Sequence, residues 1–286
     1  MKVTEGNNAF VVGSKSFTAV AINCAAKAGE WIMTKLGNYA SLEIKYSEHD
    51  LVTEVDKGSE RLIRKLIGTH FPHHSFLGEE GCEPGPEASA KALEEAQDSE
   101  YLWIVDPIDG TTNFVHGFPF FCVSIALAYR GEVIVGVVYD PIKDELFIAE
   151  KGKGAYVHGK RMQVAEDASL KESLIATGLP AEREYALPLN LKGISELAPQ
   201  VRNLRVAGSA ALHLAYVASG RLSGFWEIGL NSWDMAAGVL LIQESGGVVT
   251  DTSGAPYTLG VRDVVASNGL LHKELVEALK KAEAAE

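Results

Sequence analysis

Cysteine is scarce in this chain: 286 residues contain three, Cys24, Cys82 and Cys122. Widely spaced, odd in number and without a CxxC pattern, they exclude a disulfide framework and point to a reducing interior. Long apolar runs are missing too. Nothing approaches the length needed to cross a bilayer, and residues 1–16 combine Lys2 and Lys15 with Glu5 and lack the continuous apolar stretch of a secretory signal. A soluble, cytoplasmic protein with no membrane partner is the expectation. Positive charge is in short supply, with 26 Lys and Arg against 38 Asp and Glu and a net charge of -12. Nucleic acid is therefore not an expected partner, because a phosphate backbone needs a clustered basic surface. The eight histidines fall at no zinc spacing, no Ser-His-Asp arrangement is visible, and there is no internal repeat.

What remains is a globular composition, 47% hydrophobic, enough for one large domain or two closely packed halves. We read a single domain over 1–286, with an N-terminal half to about 160 and a C-terminal half from about 161. Apolar residues at helical spacing predict a first helix over 16–36, stopped by Gly37. Thr53 is placed to cap a second helix that buries Leu62, Ile63, Leu66 and Ile67. The Glu-, Pro-, Gly- and Ala-rich span 82–99 reads as a mobile surface loop. Runs of Val, Ile, Tyr and Phe over 75–157 predict a sheet with antiparallel neighbours, and Gly152-x-Gly154 reads as a hairpin turn. Beyond 161, strands at 174–177, 204–207, 224–228, 248–250 and 264–266 alternate with helices at 210–218, 232–244 and 270–284. Layered α/β sheets are expected in both halves. Trp226, Trp233, Phe118 and Phe120 are expected to pack, and His73-His74 to lie in a polar loop.

The chemistry concentrates in Trp103-Ile-Val-Asp-Pro-Ile-Asp-Gly-Thr-Thr-Asn-Phe114. An apolar strand over 102–105 would carry Asp106 to its end and out of the core. Pro107 bends the chain and returns Asp109 toward Asp106, and Gly110, Thr111 and Thr112 offer backbone N–H groups to an anion. Hard oxygen ligands beside an anion cradle point to Mg2+ and a phosphate ester. Read alone, Asp-Pro-x-Asp-Gly also serves as a surface turn.

Five further places supply matching groups, each with an ordinary alternative. Phe76-Leu-Gly-Glu79-Glu80-Gly81 delivers carboxylates at a strand end, or is only a charged strand end. Asn231-Ser-Trp-Asp234 places an acid in a first helical turn, where dipole compensation suffices to explain it. Thr53 and Asp56, in Asp50-Leu-Val-Thr-Glu-Val-Asp56, fit helix capping as well as support of a catalytic hydroxyl. Glu227 is a solvated edge charge or a hydroxyl acceptor. Gly208-Ser209-Ala210 joins strand to helix and can present N–H groups.

In order and spacing, these motifs resemble the inositol monophosphatase family over most of the chain. They are Asp50 to Asp56, Gly78-Glu-Glu80, Trp103 to Asn113 continuing to Pro119, Gly208-Ser-Ala210, Glu227, and Trp233-Asp-Met-Ala-Ala-Gly238. The resemblance implies an α/β (α+β) fold, a layered αβαβα sandwich like that of inositol monophosphatase and fructose-1,6-bisphosphatase, in a homodimer. It implies a lithium-sensitive hydrolase using two or three Mg2+ ions. Glu79, Asp106 and the Ile108 carbonyl would hold the first ion; Asp106, Asp109 and Asp234 the second. Thr111, supported by Asp56, would orient and help deprotonate the attacking water. Gly110 and Thr111 would hold the phosphate; Ser209, Ala210 and Glu227 would meet ring hydroxyls. Lys45 would lie near the phosphate or a third metal position.

The implied substrate is the small-molecule ester myo-inositol 1-phosphate. Fructose 1,6-bisphosphate, 3'-phosphoadenosine 5'-phosphate, histidinol phosphate and NADP are the alternatives, and a regulatory binding role, as with transcription machinery, is the alternative of another class. Two departures stand out. Residues 180–200 match no family pattern, and Asn231 and Ser232 stand where animal members carry His and Cys.

Overall fold

The computed structural model describes residues 16–38, 41–45 and 51–285; His49 and Asp50, the first residue of the Asp50–Asp56 motif, lie outside them. Helix α1 (Phe17–Lys35) starts where the Ser16 hydroxyl accepts from Ala19 N at 3.1 Å, and it buries Val20, Ala21, Cys24, Ala28 and Ile32 at helical spacing. A short antiparallel ribbon follows, β1 (Leu42–Ile44) with β2 (Leu51–Thr53). Thr53 then caps α2 (Glu54–His70) in a reciprocal capping box with Asp56. The half is completed by β3 (Ser75–Gly78), α3 (Pro86–Gln97), β4 (Tyr101–Asp109), α4 (Thr111–His116), β5 (Cys122–Tyr129), β6 (Glu132–Asp140), β7 (Glu145–Glu150), β8 (Gly154–Val157) and β9 (Lys160–Arg161). Its seven strands lie in chain order, with β3 parallel to β4 and every other pair antiparallel.

The second half comprises β10 (Leu174–Thr177), α5 (Ala186–Leu197), β11 (Asn203–Val206), α6 (Ala210–Ala218), β12 (Gly224–Ile228), α7 (Ser232–Glu244), β13 (Val248–Thr250), β14 (Asp263–Ser267) and α8 (His272–Lys281). Its sheet has the order β11-β10-β12-β14-β13. Helices α1 and α2 cover one face of the seven-stranded sheet, α6 and α7 fill the space between the two sheets, and α5 and α8 cover the far face of the smaller sheet. The layers are thus α, β, α, β, α, as the resemblance implied. Being sandwiched, α7 is apolar nearly all round, from Trp233 to Ile242, as a helix without a solvent face must be. Strands β4 and β5 read as continuous apolar runs for the same reason, since both of their faces are covered.

Four expectations need correction. Residues 82–99 are not a loop: Pro86 occupies the first turn of α3, and Ser89 and Leu93, four apart, are buried. The composition taken for a loop is rich in Ala and Glu, which are strong helix formers. Residues 180–200 contain α5. His74 lies against the Tyr101 ring at 4.4 Å and accepts from Trp103 Nε1 at 3.1 Å, so it closes an aromatic cluster instead of a polar loop. Phe118 does not pack; its side chain is exposed.

Candidate active site

The strand expected to end at Val105 continues to Asp109, with a register shift between Asp106 and Asp109 where Pro107 cannot donate to the ladder. Asp106 is consequently not carried to a solvated rim. It is 2% exposed, and its Oδ1 accepts from Ile108 N at 2.9 Å across the bulge. Gly110 follows at φ +101, a backbone conformation open to glycine, in a place where a Cβ would meet the Phe120 carbonyl at 3.0 Å. Thr111 then opens α4. A cavity of about 230 Å³ lies over this bend and is lined by Glu79, Asp106, Ile108, Asp109, Gly110, Thr111, Ser209, Ala210, Glu227 and Asp234. Ten of the twelve expected site residues therefore share one cavity, although they come from five separate stretches of chain.

The remaining two stand directly behind it. The Thr111 hydroxyl donates to Asp56 Oδ1 at 2.8 Å, with the Ile108 carbonyl 3.1 Å away as a second acceptor. Asp56 Oδ2 meanwhile accepts from Thr53 N at 2.9 Å and from Thr53 Oγ1 at 2.6 Å. One carboxylate thus serves the helix cap and the cavity threonine together. Burial pushes the Asp56 pKa up, and the hydrogen bonds from Thr53 and Thr111 oppose that shift by favouring the charged form. Lys45 reaches the site from the residue after β1: its Nζ donates to Glu79 Oε1 and Glu80 Oε1, each at 2.7 Å. Burial lowers its pKa, but the two carboxylates outweigh this and hold it raised. Glu80, buried and beside Glu79, is pushed up to about 8.

Asp109 is held rigidly, its Oδ2 accepting from Ser209 Oγ and Ala211 N, both at 2.6 Å. The hydroxyl of Ser209, expected to face a ring hydroxyl, is therefore turned to Asp109, and it also caps α6 by accepting from Leu212 N. Asp234, at the third position of α7, accepts from Asn231 N at 2.7 Å. Glu227 is the penultimate residue of β12 and is buried. Burial and mutual repulsion push Asp106, Asp234 and Glu227 well above the ordinary carboxylate range, and Asp109 to about 6.

Several contributors were not identified from sequence. A Cβ at Gly178 would sit 2.0 Å from Glu227 Oε2, so only glycine leaves room for that carboxyl. The only sequence sign was its place directly after the strand at 174–177. Asn113 Nδ2 donates to the carbonyls of Phe120 and Ala207, at 2.6 and 2.7 Å, and ties the Asp109 turn to the loop that carries Ser209. Leu179, Pro180, Ala181, Gly229 and Leu230 also line the cavity.

The donor set is chemically suited to a hard cation. It is oxygen-only, acidic and partly desolvated, and its carboxylates lack the opposite charge that would let all of them ionise. Among the described residues, however, no three Asp, Glu, His or Cys side chains are gathered as a metal ion would require. Lys45 engages Glu79, while Ser209 and Ala211 engage one oxygen of Asp109. Ligation by Glu79 thus competes with the Lys45 ammonium. Among the described residues, no helix is long and apolar enough to cross a membrane.

Residues 14–284 match the inositol monophosphatase family. Inositol monophosphatase 2 of Solanum lycopersicum is 46% identical over 275 residues, covering 94% of this chain and all of that protein. The Nus factor SuhB of Pseudomonas aeruginosa is 39% identical and covers 91% of this chain and 94% of its own. Among solved structures, the Thermotoga maritima IMPase superposes with a TM-score of 0.82 at 37% identity, covering 93% of this chain and 97% of that one. With the fold, the order of the motifs and this extent of identity in agreement, the chain belongs to the inositol monophosphatase family.

Proposed function

We propose that this chain is a Mg2+-dependent phosphomonoesterase that hydrolyses myo-inositol 1-phosphate to inositol and phosphate, acting as a cytoplasmic homodimer. The observation that carries the reading is the relay of Asp56 to Thr111 at the edge of a cavity floored by Asp106 and Asp109. Glu79, Asp106 and the Ile108 carbonyl would hold one ion, and Asp106, Asp109 and Asp234 another. Bound there, the ions supply a lowered pKa for the attacking water and charge stabilisation for the leaving oxygen.

The chain's own residues do the rest. Because the Thr111 hydroxyl gives its proton to Asp56, its oxygen lone pairs are left to accept from a water, and they orient it toward the phosphorus. The N–H groups of Gly110 and Thr111 face the phosphate oxygens, where added negative charge in the transition state is stabilised most. Glu227 and the backbone at Ser209 and Ala210 would meet the ring hydroxyls. The names of the plant relatives and the whole-chain match support an inositol ester over the other candidate esters.

The test is phosphate release, with and without Mg2+, from inositol 1-phosphate, fructose 1,6-bisphosphate, 3'-phosphoadenosine 5'-phosphate, histidinol phosphate and NADP at matched concentrations. Mg2+-dependent preference for the inositol ester is the expected result. A preference for another ester moves the substrate and keeps the mechanism. No hydrolysis of any of them rejects the enzyme reading in favour of a regulatory binding role.

A further inference from the structure

Arg262, in the loop between β13 and β14, makes contacts that link two walls of the cavity. Its Nη1 donates to Glu182 Oε2 at 3.2 Å, and its Nε donates to the Leu230 carbonyl at 3.2 Å. Its own carbonyl accepts from Gly229 N at 2.9 Å and Leu230 N at 2.8 Å. Glu182 belongs to the loop 178–185 between β10 and α5, which contributes Leu179, Pro180 and Ala181 to the cavity; Gly229 and Leu230 begin the β12 to α7 loop, which ends at Asn231, before the first turn of α7 with Asp234. The two loops touch at Gly229, at φ +95, where a Cβ would meet Ala186 Cβ at 2.7 Å and Pro180 Cβ at 3.2 Å. The ion pair is partly shielded, with the Arg262 and Glu182 side chains 25% and 17% exposed. A planar guanidinium using two nitrogens on two loops fixes a distance and an angle, which a lysine ammonium does not.

None of these hydrogen bonds is made to Gly110 or Thr111, and both joined loops adjoin Glu227, Gly178 directly and Gly229 through Ile228. The Arg262 charge also favours the ionised form of Asp234, so Glu182→Gln, which leaves that charge in place, isolates the clamp. We infer that Arg262 is a positioning residue that sets the alcohol-binding wall, and thereby the preference for a bulky cyclic alcohol over a small acyclic one. This rests on the phosphomonoesterase reading above.

The experiment uses the full chain with Mg2+ and two esters, inositol 1-phosphate and glycerol 2-phosphate, in Arg262→Gln, Arg262→Lys and Glu182→Gln. Arg262→Gln and Glu182→Gln are expected to raise KM for the inositol ester on the order of tenfold, and in Glu182→Gln, which keeps the Arg262 charge near Asp234, kcat changes less than about twofold. In Glu182→Gln, KM for the glycerol ester and inhibition by inorganic phosphate stay at the unsubstituted values. Arg262→Lys keeps the charge on Glu182 and restores part of the preference. In parallel, amide hydrogen exchange over 179–187 is expected to quicken about tenfold in Arg262→Gln and Glu182→Gln, since the wall loses its cross-link.

Equal loss of kcat on both esters in Glu182→Gln, or unchanged selectivity with unchanged exchange in both variants, overturns the inference. If the unsubstituted chain hydrolyses neither ester, the phosphomonoesterase reading fails and takes the selectivity assignment with it; unchanged exchange would then separately reject the structural clamp.

Discussion

Replacing Thr111 by Val tests the relay with little change of shape, because a methyl group takes the place of the hydroxyl. The structure predicts what is lost and what is kept. Asp56 gives up the 2.8 Å bond from Thr111 and retains both bonds from Thr53, so the cap of α2 persists. Destabilisation should be about 1.5 to 3 kcal/mol, the range for a hydrogen bond to a charged group. Chemistry should suffer more. A positioned proton acceptor contributes about a hundred- to ten-thousand-fold, which is about 2.7 to 5.4 kcal/mol of barrier. The loss should fall on kcat and leave KM nearly unchanged, because the N–H groups that meet the phosphate remain. Thr111→Ser keeps the hydroxyl and should recover most of the rate. The assay is steady-state phosphate release from inositol 1-phosphate, with circular dichroism to verify folding. A folded Thr111→Val variant that keeps kcat within about tenfold of the unsubstituted protein would refute the relay, since no general-base role of ordinary size would then be left.

Further outcomes follow from the same geometry. Asp106→Asn removes a buried charge from among like charges, so phosphate release should be nearly abolished while the metal-free protein unfolds at a higher temperature; a lower melting temperature in chelator would contradict the repulsion argument. Gly178→Ala places a Cβ where the Glu227 carboxyl lies, which should cost about 1 to 3 kcal/mol in urea unfolding and raise KM for the inositol ester; an unchanged KM would remove Glu227 from the alcohol subsite. Buried His213, between the Phe120 and Phe225 rings, has its pKa lowered by burial from 6.5 to about 3. Its unfolded form binds the proton first, so stability is complete above pH 6.5 and declines by about 1.4 kcal/mol per pH unit as pH falls toward 3. His213→Phe should flatten that slope in urea titrations between pH 5 and 7, and an identical slope would mean the imidazole is not held neutral.

How much of this was legible in the sequence depended on whether a feature was local. Helices α6 and α7 and strands β10, β12 and β13 have the expected limits, because apolar periodicity, a Ser or Asn cap and a following Gly each act within a few residues. Helix α3 was missed where composition misled, since Glu, Ala and Pro serve a loop and a capped helix equally well until Pro86 is placed at the first turn. The residues that line the cavity were readable because carboxylates next to Gly or at helix starts carry local signatures as well as the family's order. Their electrostatics were not.

Asp106 looked like a strand end facing water, and nothing in Trp103 to Phe114 shows that the strand would continue through a bulge and bury it. Gly178 and Arg262 illustrate the general case. Gly178 is required by the position of Glu227, 49 residues later, and Arg262 acts through Glu182, 80 residues earlier. Neither has a partner within its own element, so no window of sequence contains the interaction, and only the packing of β10, β12 and β14 in one sheet brings the pairs together. A wall assembled in this way is also the part of the site freest to vary while the carboxylates stay fixed. Residues 180–182, within the family match over 14–284, supply Pro180, Ala181 and Glu182 to that wall. Differences in substrate among proteins sharing the Asp106, Asp109 and Asp234 arrangement should therefore map to the loops held by Arg262, and not to the carboxylates themselves.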